Sequence, residues 1–301
     1  MDRSRRSARP GGTADADRIS TRGVTRTSWA GLAAAVSYVL MAAVLGSLIG
    51  DRAPSDDAEF ALSHLVPLPI AIALGLLFVF RWSGWDPRRV FRETPTVQLT
   101  PRRWWLVSIP VLMVAISLTQ VPEISWSDQA AGMVVIVVSA TIMVGVGEEL
   151  FFRGILLESI RARHGELVTL LGTAALFGLG HVVGSLWAGA PPLIVLLQVS
   201  ALMMDGALYY WVRRVTGRLW VAMAVHALTD CVLYLSSGAS STSEAFVQSS
   251  DGGTNWALAV METALIVAAV AGVVSAARED HRTRRERRAL PQTRTTEGDP
   301  S

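Results

Sequence analysis

Eight apolar stretches, near residues 29–50, 62–81, 104–121, 130–157, 167–187, 192–212, 219–236 and 255–277, leave this chain few ways to fold. A helix needs about 20 mostly apolar residues to cross a bilayer, and these stretches are of that order. In hydrocarbon every backbone N–H and C=O must be satisfied internally, so only helices and closed barrels span a membrane. A barrel would show short alternating segments, whereas these runs are continuous. The sequence therefore predicts an all-α, polytopic membrane bundle of about eight transmembrane helices. A hydrophobic content of 51% fits a multi-pass protein of the cell membrane better than an ordinary soluble domain.

Arginine placement predicts how the bundle sits. The chain has no lysine, and its 27 basic residues are all Arg. Seven lie in the first 28 residues, six between 81 and 103, then Arg161 and Arg163, then Arg213, Arg214 and Arg218, and seven after 277. The intervening connections hold only Arg52. Positively charged loops stay cytoplasmic, so the alternation predicts eight helices with both termini in the cytoplasm. Residues 1–28 and 278–301 read as Arg-rich cytoplasmic tails, both disordered by composition, around a transmembrane domain at 29–277. The first apolar run is too long for a usual signal-peptide core and reads as a retained helix. The arginines flank helices, which suits anionic lipid and gives no reason to expect nucleic acid. A single cysteine, Cys231, excludes an intrachain disulfide. Nothing in the sequence fixes an oligomeric state.

Against this apolar background, three short segments carry ionisable groups. They are Glu148-Glu149-Leu-Phe-Phe-Arg153, Phe177-Gly-Leu-Gly-His181 and His226-Ala-Leu-Thr-Asp230. A charged side chain at the bilayer centre costs roughly 2.5–3.5 kcal/mol or more, so such residues usually serve a function. Glu149 and Arg153, four apart, share a helix face, while Glu148 points about 100° away and is left unpaired. His181 sits among Gly178, Gly180 and Gly184, and Gly180 with Gly184 forms a small-xxx-small helix contact. Asp230 shares a face with His226 and is placed to set its tautomer. By helical rise Glu148, His226 and His181 lie roughly 15, 12 and 24 Å from the cytoplasmic ends of their helices. Ordinary tilts of about 20° would let them converge in a cavity biased toward the cytoplasm. Each motif alone also has a structural reading: a helix-end ion pair, a packing histidine, a self-satisfied His–Asp pair. Asp205 and Gln198, on the sixth helix, fit either the same cavity or a helix contact.

Together the three motifs resemble the CPBP family of intramembrane glutamic endopeptidases, which takes in the CAAX prenyl proteases and the bacterial Abi proteins. The family pattern is Glu-Glu-x-x-x-Arg, Phe-x-x-x-His and His-x-x-x-Asn or Asp on successive core helices, and it appears here in order within 130–236. The resemblance implies an endopeptidase that cleaves a membrane-embedded or lipidated peptide. It makes Glu148 the base that activates water and His181 a group that holds that water. Glu149 and Arg153 become a supporting ion pair, and His226 with Asp230 serve the oxyanion. Ionised aspartate donates no hydrogen bond, so Asp230 is expected to orient His226. No cofactor is implied. Zinc is the alternative, since two Glu and two His are metal donors, but no His-Glu-x-x-His pattern is present. Intramembrane Glu, His and Asp also suit a proton-coupled transporter, and a non-catalytic membrane scaffold or immunity protein stays open.

Overall fold

The computed structural model describes residues 26–238 and 255–289. Among them are eight helices of membrane-spanning length and hydropathy. They are α1 (Ser28–Gly50), α2 (Asp56–Trp82), α3 (Trp104–Glu123), α4 (Ala131–Arg161), α5 (Glu166–Trp187), α6 (Pro192–Thr216), α7 (Leu219–Ser237) and α8 (Trp256–Ala289). The chain is thus an all-helical, multi-pass membrane protein. Large apolar side chains such as Val135, Leu196 and Val267 lie exposed on the spans, where lipid is their solvent. Trp29, Trp104, Trp220 and Trp256 are exposed at helix ends, the level at which indole rings favour the interface.

Two helix ends differ from the hydropathy bounds, each for a local reason. α2 starts before its apolar run because Ser55 caps it, its side chain accepting from the Ala58 N–H, and Asp56, Asp57 and Glu59 occupy the first turn. Negative charge there complements the helix dipole. α8 continues through Ala289, so residues 278–289 are helical where the sequence suggests a tail. Its polar end is anchored. Glu279 pairs with Arg103 and Arg214 at 2.7 Å each. Asp280 accepts hydrogen bonds from the backbone N–H groups of Glu166 and Leu167, and so caps α5 from another helix. Most of the two tails, 1–25 and 290–301, lies outside the described residues.

The arginine-bearing ends of the helices gather as their spacing predicts. Glu93, in the connection between α2 and α3, is 3.1 Å from each of Arg161, Arg213 and Arg214. Glu158 is 3.1 Å from Arg213, and Arg26, ahead of α1, is 3.7 Å from Glu158. The turn after α6 delivers Glu93 to this cluster. Gly217 ends α6 at φ +67°, a left-handed conformation that favours glycine, and its carbonyl accepts from the Glu93 N–H at 3.0 Å. Around these charges the core is tightly apolar, with Trp211, Tyr210, Leu156 and Ile155 fully buried.

Burial works to raise the Glu93 pKa, but the nearby Arg161, Arg213 and Arg214 guanidinium groups override it and hold the carboxyl at about 2, below its ordinary 4.5. A depressed carboxylate stabilises the fold above its unfolded pKa, and that contribution disappears as pH falls through the folded value. Glu93→Gln should therefore destabilise the protein by roughly 3 kcal/mol at neutral pH, since it leaves buried Arg213 and Arg214, and half-buried Arg161, short of a carboxylate. Thermal unfolding in detergent should show the gap to wild type closing as pH drops from 4.5 toward 2. An unchanged gap across that range would contradict the assignment.

Candidate active site

The site begins in a change of helix type. α4 is α-helical from Ala131 to Glu148, π-helical from Glu149 to Leu156, and α-helical again to Arg161. Such widened turns are frequent at functional sites, and α1 and α2 carry them too, at Leu40–Leu45 and Phe78–Trp82. The change falls between the two glutamates, and both reach toward α7.

Close helix contacts permit this. A Cβ on Gly145 would lie 2.7 Å from the Met223 carbonyl oxygen and 2.9 Å from the Ala227 nitrogen, so α4 and α7 approach backbone to backbone. The equivalent contact on α5 is at Gly178, where a Cβ would fall 2.6 Å from the Val199 carbonyl of α6. The expected Gly180 and Gly184 pair is less confined, facing Val39 and Ala43 of α1.

Glu149 is fully buried, and one of its oxygens serves two partners. Arg153 Nη1 donates to Oε1 at 2.8 Å, and His226 Nδ1 lies 3.0 Å from the same atom. Arg153 is equally buried. Its Nη2 donates to the Gly206 carbonyl of α6 at 3.1 Å, and its guanidinium lies 4.0 Å from the centre of the Phe177 ring of α5. Glu149 and Arg153 thus tie α4 to α5, α6 and α7. The nearest acidic partner of His226 is Glu149, whereas Asp230 Oδ2 lies 3.4 Å from Nε2. The sequence assigned the orienting role to Asp230; the geometry puts Glu149 first, because α4 and α7 touch at Gly145.

Glu148 stands between the two imidazoles, 3.8 Å from His181 Nε2 and 3.8 Å from His226 Nε2. The Phe177 carbonyl lies 3.0 Å from His181 Nδ1. A carbonyl only accepts, so Nδ1 carries a proton and a neutral ring presents Nε2 toward Glu148 as an acceptor. The same logic gives His226 a proton on Nδ1, facing Glu149. All six sequence-predicted residues therefore meet: Glu148, Glu149, Arg153, His181, His226 and Asp230. Among the described residues no group of three or more His, Cys, Asp or Glu is arranged to hold a metal ion.

Other residues join them without a motif to announce them. Tyr209 of α6 stacks on the His226 ring, centroids 4.3 Å apart and planes 11° from parallel, and its hydroxyl is 2.6 Å from Thr229 Oγ1. Tyr38 of α1 stacks on Phe151 and packs on Gly147, next to Glu148. Both tyrosines and Asp205 line a cavity of about 620 Å³ whose wall includes Glu148, His181, His226 and Asp230. The carboxamide of Gln198 accepts from Ser185 at 2.7 Å, bracing α5 against α6.

The two glutamates should respond differently to substitution. Glu149→Ala leaves Arg153 as an uncompensated buried charge and should cost roughly 3–5 kcal/mol. Glu148→Ala removes no close ion pair and should cost far less. Unfolding midpoints of the purified variants in detergent measure the difference, and equal losses would contradict the division of labour.

Residues 130–232 match a family model described as Type II CAAX prenyl endopeptidase Rce1-like. The matched region covers about a third of the chain and contains all three motifs. No curated protein and no solved structure matches the chain. Similarity to that family therefore rests on α4 to α7, the helices that build the site.

Proposed function

We propose that this protein is an intramembrane endopeptidase in which Glu148 activates a water molecule. The observation that carries the reading is the Glu148 carboxylate, 3.8 Å from the Nε2 atoms of His181 and His226 on a cavity wall. Separations of that size suit a bridging water. His181 Nε2 accepts a hydrogen bond from one water proton, which stays on the oxygen, and Glu148 takes the other as the oxygen attacks a peptide carbonyl. A C–O bond forms and the carbonyl electron pair becomes an oxyanion. With Nδ1 committed to Glu149, His226 meets the oxyanion through Nε2 when that nitrogen carries a second proton. As the tetrahedral species collapses, the C–N bond breaks. The proton held on Glu148 passes to the leaving amine, which yields one acid and one amine.

Glu149, Arg153 and Tyr209 act in this scheme as positioning residues. They hold the His226 ring against rotation, which keeps its donor aimed where charge develops. Asp230, next to Nε2, tunes the same ring from the cavity side. The positive-inside rule places the arginine-rich end in the cytoplasm. The substrate is a membrane-embedded or lipidated peptide.

Cleavage of a panel of single-pass membrane peptides and prenylated CAAX peptides by the purified protein tests the reading. Glu148→Gln should lower the rate by roughly 100-fold or more while leaving the unfolding midpoint near wild type. A metal chelator should leave the wild-type rate unchanged. Normal turnover by Glu148→Gln would sink the proposal, and loss of activity with chelator, restored by zinc, would replace the water-activating base with a metal.

A further inference from the structure

The cavity does not lead where the depth of the motifs suggests. Besides the site, it is lined by Asp51 at the end of α1, Glu59 in the first turn of α2, Gln120 near the end of α3, and Trp187 at the end of α5. Every one of these lies at the helix ends opposite the arginine cluster. None of Glu93, Glu158, Arg161, Glu166, Arg213 or Arg214 lines the cavity. At the arginine-rich end the site is backed by the buried side chains of Ile155, Leu156, Trp211 and Val212. A cytoplasm-biased cavity is thus replaced by one that reaches the arginine-poor face.

The chemistry of its wall is one-sided. Asp51, Glu59, Glu148, Asp205 and Asp230 contribute carboxyl groups, and His64, His181 and His226 contribute imidazoles. Among the described residues no arginine lines it, and the chain has no lysine. Of the guanidinium groups close to it, Arg153 is spent on Glu149, Gly206 and the Phe177 ring, and Arg52, beside Asp51, donates to the Leu48 carbonyl of α1. A free C-terminal carboxylate entering here would meet acids and no guanidinium on the wall. A lysine or arginine side chain would meet Asp51 and Glu59 at the exposed end. Deeper in, Tyr38 lines the wall with its hydroxyl packed on Gly147.

We infer that the cavity admits its peptide from the arginine-poor, extracytoplasmic face and selects an internal segment bearing a basic side chain, in preference to a free C-terminal carboxylate. The inference rests on the endopeptidase reading for what becomes of the peptide, but not for how it enters. Entry is tested without turnover. Cys231→Ala, Glu148→Gln protein carries either Ser47→Cys, in the cavity wall, or Arg163→Cys, at the arginine-rich end. Right-side-out and inside-out membrane vesicles are treated with a membrane-impermeant maleimide. Ser47→Cys should react in right-side-out vesicles and Arg163→Cys in inside-out ones. A lysine-bearing apolar peptide amide should slow the Ser47→Cys reaction roughly fivefold, and the same peptide with glutamate and a free carboxyl end should not. Adding Asp51→Asn and Glu59→Gln should abolish that discrimination. Reaction of Ser47→Cys only in inside-out vesicles overturns the entry face. Equal protection by both peptides, or by neither, overturns the charge selection, whatever the cleavage assay shows.

Discussion

One oxygen of Glu149 accepts from both Arg153 and His226 in a place with no access to water. Bringing these charges into a dry interior costs several kcal/mol per ion unless each is paired and hydrogen-bonded. The pairing is met from four helices: α4 supplies Glu149 and Arg153, α7 the imidazole, α6 the Gly206 carbonyl, and α5 the Phe177 ring over the guanidinium. No subset of those helices makes all of these contacts, and even together they leave Glu149 Oε2 and Arg153 Nε without a partner among the described residues. The close backbone contacts at Gly145 and Gly178 follow from the same demand, because longer side chains there would hold the helices too far apart.

The proposed function rests on that constraint. An imidazole clamped through Nδ1 has one nitrogen left to work with, and it faces Glu148. His181 is clamped in the same sense by the Phe177 carbonyl. Adjacent glutamates thus take opposite parts, one spent on packing and one left open to the cavity. The π-helical turn starting at Glu149 marks the boundary between them. The second charge cluster, around Glu93, Arg161, Arg213 and Arg214, joins the connections at the other end of the bundle. It closes the side away from the cavity.

Much of this was legible in the residues. Continuous apolar runs locate the eight spanning helices among the described residues, and arginine spacing predicts which ends gather, because both patterns are local and repeat along the chain. The three motifs identify the six residues that meet, because ionisable groups stand out in hydrocarbon. What the sequence left open depends on helix pairing. Asp230 is four residues from His226 and looks like its partner; Glu149 is 77 residues away and lies closer to the ring. Tyr38 and Tyr209 resemble any buried aromatic until the helices are assembled. The direction of the cavity depends on how several helix ends splay, and helix depth alone pointed the other way. The helical continuation of α8 was hidden because charged residues in 278–289 read equally well as a tail.

A structure of the protein bound to a peptide ketone that hydrates to a gem-diol would test the central claim most directly, since the diol mimics the tetrahedral species. The account predicts one hydroxyl within hydrogen-bond distance of Glu148 and His181 Nε2 and the other against His226 Nε2, with Glu149 still on Nδ1. A diol bound away from Glu148, or a His226 ring released from Glu149 to reach it, would contradict the account.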